Sequence, residues 1–565
     1  MGEKTKLSSI LMDPLPFATS LYKQDRFDDA FYFVTLKLAE YPRNFALLNL
    51  AAKCAVELKK YDQADLFWRK CTEVNPKDLP TLLNLANLYH ERGRLETAQI
   101  FYQKALACDP HSSDTHNRYG AFLYKCHRYT AAESHYRYAL QAAPHESEAY
   151  NNLGVLLKSQ KRLEEAFACF KRAIELKPDR LVGYINLGQL YEDQDDLEKA
   201  ELCYKTALRY APNHWDIHNG LGAFYGRIRR FKEAEDYFRR ALELNPEHPD
   251  ILNNLSFVLL AQGRFSEGWK YREARYHPTL KNPNSVIPPL SCPQWKGEDL
   301  RGKSLVIWHE QGYGDVIQFA RYAGILKNQG ALTITFVCAA PLTSLLQSLK
   351  GVDKVLSLEE QALLKPHDYW TFPLSISYYL QTTLDTIPSC GQYLSVSPEC
   401  EKKWMPYLPQ GIFKVGLVWK GAATHKGDAA RSLPSLESLK ALWAIPGLSF
   451  ISLQKGQGEA EAQHPPSDQP LIHLGSDIQD FSDSAAIINQ LDLLVCVDTA
   501  IAHLAGALNR PVWVLAPYAA DWRWMMDRED SPWYPSLRLF RQKQRGLWAP
   551  VIESVATELK QLLRR

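Results

Sequence analysis

The first half of the chain repeats one pattern of proline, small and bulky residues every 34 positions. The prolines are Pro42, Pro76, Pro110, Pro144, Pro178, Pro212 and Pro246, with alanine 12 positions before each and alanine or glycine 24 positions before each. Two helices of about 13 residues cross closely only where small side chains meet, and a proline ends the second helix. The pattern therefore predicts helix pairs over residues 1–276, as seven repeats and a capping repeat.

Asparagine recurs at one position of the first helix in several repeats. These residues are Asn84, Asn152, Asn186 and Asn254. Stacked helix pairs form a superhelix whose concave face is lined by the first helices, and an asparagine amide there offers donors and an acceptor to an extended peptide. An alternative is that these amides bond to the neighbouring helix or to water. The repeats resemble the tetratricopeptide repeat (TPR), and the asparagine ladder resembles the protein-binding half of O-linked N-acetylglucosamine transferase.

The hydrophobic pattern changes after residue 276. Residues 277–300 are rich in proline, which predicts a semi-rigid, extended connector. Beyond it, apolar runs of five to eight residues alternate with helical stretches, as expected for parallel strands that are buried on both faces. Two such series, over residues 301–398 and 410–565, predict an α/β region of two doubly wound lobes with a cleft between them.

Two turns at predicted strand ends carry candidate chemistry. In the first, Gly312 and Gly314 let the backbone approach a ligand, and Asp315 begins a helix. Asp315 is a candidate general base, with a simple helix cap as the alternative. In the second, Lys420 and Arg431 flank a glycine-containing loop that also holds Lys426; cations there suit a phosphate-bearing ligand, unless the loop is only a solvated basic one.

A third turn joins the strand that ends at Val497 to a helix of small residues. Its sequence places Asp498, Thr499 and Ala500 at the helix start and His503 near the first turn. Free amides and the positive end of the helix dipole favour an anion at such a position. Taken alone, His503 is more often a packing histidine than a ligand.

Composition and charge narrow the classes of function. The 565 residues carry a net charge of +2 and are 46% hydrophobic, which excludes disorder as the main state and gives no sign of a nucleic-acid partner. The eleven cysteines are scattered without a C-x-x-C pair, and neither an Asp-x-Asp motif nor a His/Cys cluster suggests a metal. With no signal peptide and no apolar stretch of about 20 residues, we expect a cytoplasmic protein without a membrane span.

The three turns together resemble a known enzyme family. The turn Gly312-Tyr313-Gly314-Asp315, the pair Trp419-Lys420 and the segment 498–507 are similar to glycosyltransferase family nine, the heptosyltransferases of GT-B fold. TPR-fused bacterial relatives of that family also carry segments like 452–456 and 521–524 of this chain.

The resemblance implies a role for each matching residue. Asp315 would be the catalytic base of an inverting transfer, and Lys420 with Arg431 would neutralise the donor's phosphate. The remaining donor-binding candidates are Asp498, Thr499, Ala500 and His503 for the phosphates and Gln454 and Lys455 for the base or ribose. No cofactor or metal is implied. Should Asp315 be structural, His309 and Glu310 on the same strand end are the next candidates.

The resemblance also implies a function for the whole chain. It predicts a cytoplasmic glycosyltransferase that moves a sugar from a nucleotide-sugar to a Ser or Thr hydroxyl of a protein recruited by the TPR arm. Some TPR-bearing relatives glycosylate flagellin. The alternatives are a TPR scaffold with an inactive GT-B domain and a transferase that acts on lipopolysaccharide or polysaccharide.

Overall fold

The computed structural model of the chain describes residues 14–280, 285–388, 391–425 and 427–564. The start of the predicted repeats, Pro283 of the predicted connector and Lys426 of the basic loop lie outside these ranges. Contacts divide the chain into two compact units, residues 1–212 and 213–565.

The first unit is made of helix pairs. Twelve helices, α1 to α12, occupy its described part: Leu15–Lys23, Phe27–Glu40, Phe45–Glu57, Tyr61–Val74, Leu79–Glu91, Leu95–Cys108, Ser113–Lys125, Tyr129–Ala142, Ser147–Ser159, Leu163–Leu176, Leu181–Asp193 and Leu197–Tyr210. The second unit begins with four more, α13 to α16: Trp215–Arg227, Phe231–Leu244, Pro249–Ala261 and Phe265–Arg272. These sixteen consecutive helices of the described chain confirm the predicted TPR part.

The small residues of the repeat lie where an aromatic ring of the paired helix approaches the backbone. A Cβ atom at Gly120 would lie 2.8 Å from the Tyr136 ring, and one at Gly154 would lie 2.6 Å from the Phe170 ring. Interior packing leaves no room for added atoms at such contacts. The 34-residue spacing therefore records where the two helices of each pair touch.

Two glycines of α13 give a matched test of this packing. A Cβ at Gly222 would lie 2.7 Å from the Phe238 ring, whereas a Cβ at Gly220 would have no atom within 4 Å among the described neighbours. We expect Gly222→Ala to lower the free energy of unfolding by about 1–3 kcal/mol through overpacking. Gly220→Ala should raise it by about 0.5–1 kcal/mol, because alanine is the better helix former. Urea unfolding of both variants measures the two changes; equal signs would contradict the packing account.

The α/β region contains two parallel sheets. The first has the strand order β3-β2-β1-β4 and the second has the order β10-β9-β8-β5-β6-β7. The strands β1 to β10 are Ser304–Trp308, Thr333–Cys338, Lys354–Ser357, Tyr369–Thr371, Phe413–Val418, Leu448–Ser452, Ile472–His473, Leu493–Val497, Val512–Ala516 and Leu537–Arg541. The predicted α/β class is confirmed.

Helices connect these strands. They are α17 to α27: Tyr313–Phe319, Tyr322–Asn328, Thr343–Leu346, Pro373–Tyr379, Pro398–Trp404, Asp428–Arg431, Lys440–Trp443, Glu459–Gln463, Phe481–Asn489, Ala500–Ala507 and Ala549–Leu562. In the second sheet the strand order reverses between β5 and β8, both of which lead into candidate turns. Ligands of doubly wound sheets bind in the crevice at such a switch point.

The last helix pair shares a core with the α/β region. On α16, the Trp269 ring meets the Trp522 ring at 5.3 Å, and the Phe265 ring stacks on the Trp533 ring at 5.9 Å. Trp269 also donates its indole N–H to the carbonyl of Thr382 at 3.0 Å. The second compact unit, which begins at residue 213, thus contains the last helix pairs together with the α/β region.

The described part of the predicted connector is also packed against the first sheet. The N–H of Trp295 donates to the carbonyl of Trp370 in β4 at 2.7 Å, and the N–H of Trp370 donates to the carbonyl of Pro293 at 3.0 Å. Trp295 is buried. These residues therefore extend the edge of the sheet and do not form a free linker.

One arginine ties the two lobes together. Arg321, between α17 and α18, is buried and donates to the carbonyl of Trp533 at 2.7 Å and to that of Pro388 at 3.2 Å. Its guanidinium also lies 4.7 Å from the centre of the Tyr534 ring. This contact joins the helix that follows β1 to the segment that precedes β10.

Candidate active site

The first and third candidate turns meet at the N-termini of α17 and α26. A Cβ atom at Gly314 would lie 2.8 Å from Cδ2 of His503 and 3.4 Å from Cα of Ala500. Only a glycine allows this approach, because any side chain would displace the imidazole or the backbone. The structure thus brings together the two turns that the sequence singled out in different lobes.

Asp315 is held by two partners. Its Oδ2 accepts the N–H of Gly312 at 3.0 Å, which closes the first turn of α17, and its Oδ1 forms an ion pair with Arg523. Arg523 is buried and also donates to Asp521 at 2.8 Å and to Oε1 of Gln318 at 2.6 Å. The carboxylate that was predicted as a base is therefore also a helix cap and the partner of a buried guanidinium.

Arg523 is a site residue that sequence reasoning did not select. It lies in the segment 521–524, whose similarity to TPR-fused relatives implies no role for the arginine. Its contact with Asp315 spans 208 positions of the chain, and no local pattern reveals such a pairing.

The start of α26 combines a buried carboxylate with an unused hydroxyl. Asp498 is buried, and both burial and the nearby Asp521 raise the pKa of its carboxyl. Oγ1 of Thr499 is buried without a hydrogen-bond partner among the described residues. A buried hydroxyl in that state points to a ligand group that would complete it.

His503 is a packed, neutral histidine. Its ring stacks on the Trp524 ring at 5.1 Å, and its Nδ1 lies 3.0 Å from the hydroxyl of Tyr534. Burial, together with Arg523, lowers the pKa of His503 to about 3. The side chain of His503 is therefore a packing group. Only its backbone belongs to the helix N-terminus that is the candidate phosphate site.

The low pKa of His503 predicts acid sensitivity of the second unit. The unfolded chain takes up a proton on this imidazole near pH 6.5, but the folded chain does so only near pH 3. Stability should therefore fall as the pH falls below about 6.5, by about 2 kcal/mol at pH 5. Urea unfolding followed by tryptophan fluorescence at several pH values measures the loss. His503→Gln should flatten that part of the profile, and an unchanged slope would contradict the assignment.

The second candidate turn follows β5 at the switch point of the larger sheet. Nζ of Lys420 pairs with Glu461, and Nε of Arg431 lies 3.5 Å from Oδ1 of Asp428. A Cβ at Gly421 would lie 2.5 Å from that same carboxylate oxygen, so the loop needs glycine at this point. The two predicted phosphate ligands are thus half-buried cations with acidic neighbours, and the loop is not simply solvated.

Gln454 and Lys455 lie close to this loop. Oε1 of Gln454 accepts the N–H of Trp419 at 2.9 Å and that of Lys420 at 3.0 Å, and its amide donates to the carbonyls of Lys420 and Gln457. Lys455 is exposed, with Nζ 2.6 Å from the carbonyl of Ile478. The side chain of Gln454 therefore fixes the shape of the loop, which leaves Lys455 as the more accessible of the two predicted nucleotide ligands.

The alternative bases differ in their availability. Glu310 is buried in an ion pair with Arg275 and accepts the hydroxyl of Ser285 at 2.9 Å. His309 is half-buried, and burial lowers the pKa of its imidazole. Glu310 is thus occupied by structural contacts, and His309 is the second candidate for a base.

Three of the four ladder asparagines bond to the preceding repeat. Their amides donate to an asparagine 35 positions earlier: Asn152 to Asn117 at 2.9 Å, Asn186 to Asn151 at 2.8 Å and Asn254 to Asn219 at 3.1 Å. Asn84 is half-buried on α5. The helix-bonding interpretation thus holds for three residues, although each such bond uses only one of the two amide hydrogens.

The described residues contain neither a metal-binding cluster nor a membrane-spanning helix. Within those ranges, no group of three or more His, Cys, Asp or Glu side chains is arranged to hold a metal ion. None of the helices described has both the length and the apolar character that crossing a bilayer requires.

Family models match both parts of the chain. The model described as the middle TPR-like domain of cilia and flagella-associated protein 70 matches residues 82–184, and tetratricopeptide repeat models match residues 185–249 and 237–270. The model described as glycosyltransferase family 9 (heptosyltransferase) matches residues 478–521. This last match contains the Asp498 turn and ends at Asp521.

A curated relative and solved structures are also similar to this chain. Protein FlbA of Caulobacter vibrioides is 31% identical over 331 residues, which cover 54% of this chain and 54% of that protein; the chain therefore spans about half the length of this relative. A tetratricopeptide repeat protein of Parabacteroides merdae is 17% identical with a TM-score of 0.38 and covers 43% of this chain and 97% of its own. PilF of Pseudomonas aeruginosa is 20% identical with a TM-score of 0.30, and the match covers 40% of this chain and 96% of PilF.

The matches agree with the resemblance that the sequence motifs indicated. Tetratricopeptide repeats are followed by an α/β region, and the segment around Asp498 is similar to family 9 glycosyltransferases.

Proposed function

We propose that the chain is a glycosyltransferase that moves a sugar from a nucleotide-sugar to a Ser or Thr hydroxyl of a protein. The observation that carries the proposal is the meeting of the Asp315 turn with the Asp498–Thr499 turn at the crevice of the α/β region. The hydroxyl of Thr499, which has no partner among the described residues, and the amides of α26 belong to the second lobe, which would hold the donor. Asp315 belongs to the first lobe, which would hold the acceptor.

The proposed reaction follows from this placement. The acceptor oxygen attacks the anomeric carbon of the sugar, its proton passes to Asp315, and the bond from that carbon to the phosphate oxygen breaks. The nucleotide leaves with the bonding electron pair. Positive charge from Lys420 and Arg431 and the free amides of α26 would stabilise the leaving phosphate. The residues named here need no metal for this step.

The repeats would recruit the acceptor. A TPR superhelix offers an extended surface for a polypeptide, and the ladder asparagines keep hydrogen-bonding capacity beyond the contacts that they make to each other. A protein acceptor is favoured over a lipid or polysaccharide because those acceptors would not need such a surface. Flagellin is the first acceptor to test, since the resemblance includes TPR-fused enzymes that modify it.

A second candidate function rests on one observation. Both carboxylate oxygens of Asp315 are engaged, one by Gly312 and one by Arg523, as they would be in a structural cap. A TPR scaffold with an inactive transferase region would keep these contacts. Measuring transfer separates the two functions.

The direct test is the mass of candidate acceptors. Flagellin and other proteins are coexpressed with the full chain or with its Asp315→Asn variant, and their intact masses are compared. A mass increment of one sugar that appears only with the unaltered chain is expected, and the increment identifies the sugar. An unchanged mass for every acceptor, with the donor nucleotide-sugar present, would favour the scaffold.

Replacement of Lys420 tests the donor side. Lys420→Ala removes a half-buried cation from the switch-point loop, and we expect nucleoside diphosphate affinity to fall by about 10-fold or more, since charged hydrogen bonds contribute about 1.5–3 kcal/mol. Lys440→Ala is the control, because that lysine is exposed and pairs only with Glu437 among the described residues. Titration calorimetry that gives equal affinities for the two variants would remove Lys420 from the donor site.

A further inference from the structure

The last TPR helix places an arginine without an acidic partner beside the candidate site. Arg272, at the end of α16, is 2% exposed. Its Nη1 donates to Oδ1 of Asn253 at 2.7 Å, its Nη2 lies 3.4 Å from Oε1 of Gln311, and its Nε is buried without a partner among the described residues. The guanidinium also lies over the Phe257 ring, 4.2 Å from its centre, but neither this ring nor the asparagine carries a full negative charge. A buried cation is costly unless an anion completes it.

The two neighbouring buried arginines differ from Arg272 because each has acidic partners. Arg275 pairs with both Glu273 and Glu310, and Arg523 pairs with Asp315 and Asp521. Within the part of the chain that the structure describes, Arg272 forms no ion pair with a carboxylate.

Further unused donors lie at the two ends of α17. Gln311 has an unpartnered, buried Nε2, and Gln318 has another, judged against the described residues. Gln311 also has a φ of 57°, a left-handed conformation that a residue with a side chain rarely adopts. Gln311 directly precedes Gly312, whose N–H binds Asp315, and Gln318 binds Arg523. The donors therefore form one continuous cluster around the candidate base.

The cluster comes nearest to the surface at the turn before α17. Gly312 is exposed and Gln311 is half-buried, whereas Arg272, which contacts Gln311, is buried. A ligand that seats on the turn would meet Gln311 first, and it would reach the buried guanidinium only after the Gln311 side chain turned away from Nη2 of Arg272. Burial, with a smaller effect of Arg275 and Arg523, lowers the pKa of Arg272 to about 10, which leaves it charged at neutral pH.

We propose that Arg272 and Gln311 form a subsite for an oxyanion of the substrate next to Asp315, so that the capping TPR repeat takes part directly in substrate binding. A guanidinium and side-chain amides match the geometry and charge of a phosphate or a carboxylate. The inference deepens the proposed function and rests on it for the word substrate, but the oxyanion site itself is tested without any transfer reaction.

The test compares two buried arginines of the full chain. Arg272→Met removes a charge that lacks an acidic partner, so its melting temperature should equal or exceed that of the unaltered chain. Arg275→Met strips the partners from buried carboxylates, so its melting temperature should fall. If Arg272→Met destabilises as much as Arg275→Met, Arg272 is a structural residue and the proposal is overturned.

Added anions then report on the subsite. Inorganic phosphate and glucuronate are each added, with glucose as the neutral counterpart of glucuronate, and the melting temperatures are measured again. A rise for the unaltered chain that is absent in Arg272→Met supports the subsite. A rise with phosphate assigns it to the phosphate of a donor, and one with glucuronate but not glucose assigns it to a sugar carboxylate. No rise with either anion, or the same rise in both proteins, would overturn the proposal.

Discussion

Asp315→Asn is expected to lower sugar transfer by about 10²-fold or more while leaving donor binding largely intact. The amide oxygen of asparagine still accepts the N–H of Gly312, so α17 keeps its cap. The amide cannot take the acceptor's proton, and this loss appears in turnover and not in affinity. Transfer rates and nucleotide titrations on the same preparation measure the two quantities.

The matched control for this variant is Asp521→Asn. Both carboxylates bind Arg523, so either variant removes one partner from the same buried guanidinium. If Asp315 acted only by holding Arg523, the two variants would lose similar activity and similar stability. A far larger loss of transfer in Asp315→Asn identifies the base, and equal losses would make Asp315 a structural residue and direct attention to His309.

Removing residues 1–300 is expected to prevent the α/β region from folding, whereas removing residues 1–212 should not. The shorter deletion leaves the whole second unit, which should bind donor but fail to glycosylate a protein acceptor. The longer deletion removes Phe265 and Trp269, which pack on Trp522 and Trp533 in the shared core. Exposing that tryptophan cluster removes several large aromatic contacts at once. Thermal melts and gel filtration of the two truncated chains measure the difference.

A point variant tests the same core without deletion. Trp269 is 1% exposed and makes a hydrogen bond to the carbonyl of Thr382. Trp269→Ala should lower the free energy of unfolding of the second unit by about 3–5 kcal/mol. For the truncated chains, if the 301–565 chain melted cooperatively with the same melting temperature as the 213–565 chain, α16 would be dispensable for folding.

The sequence was most informative where the structure depends on local spacing. Helix pairs could be predicted because Gly154 and its equivalents must face an aromatic ring of the next helix, and this requirement repeats every 34 positions. Parallel strands could be predicted because burial on both faces gives continuous apolar runs such as Leu493–Val497. The three turns could be located because each follows such a run.

Contacts between distant segments were beyond such reasoning. Arg523 binds Asp315 across 208 positions, and Arg321 binds Trp533 across 212. A pattern along the chain places a polar residue at a strand end, but it does not say what that residue faces. Gln454 is an example. Its position suits a residue that binds a nucleotide, yet its side-chain amide is already hydrogen-bonded to backbone groups of the neighbouring loop.

The contacts of Arg321 between the two lobes limit how the crevice can open for substrates. Many two-lobed enzymes close over their ligands by a hinge motion in which the lobes rotate about their connection. Here the buried guanidinium of Arg321 donates hydrogen bonds to the carbonyls of Trp533 and Pro388. If the lobes opened at this contact, the buried cation would lose these hydrogen bonds, which is costly. The crevice should therefore behave as a preformed groove, and turnover should depend on movement of the ligands and of single side chains, not on rotation of the lobes.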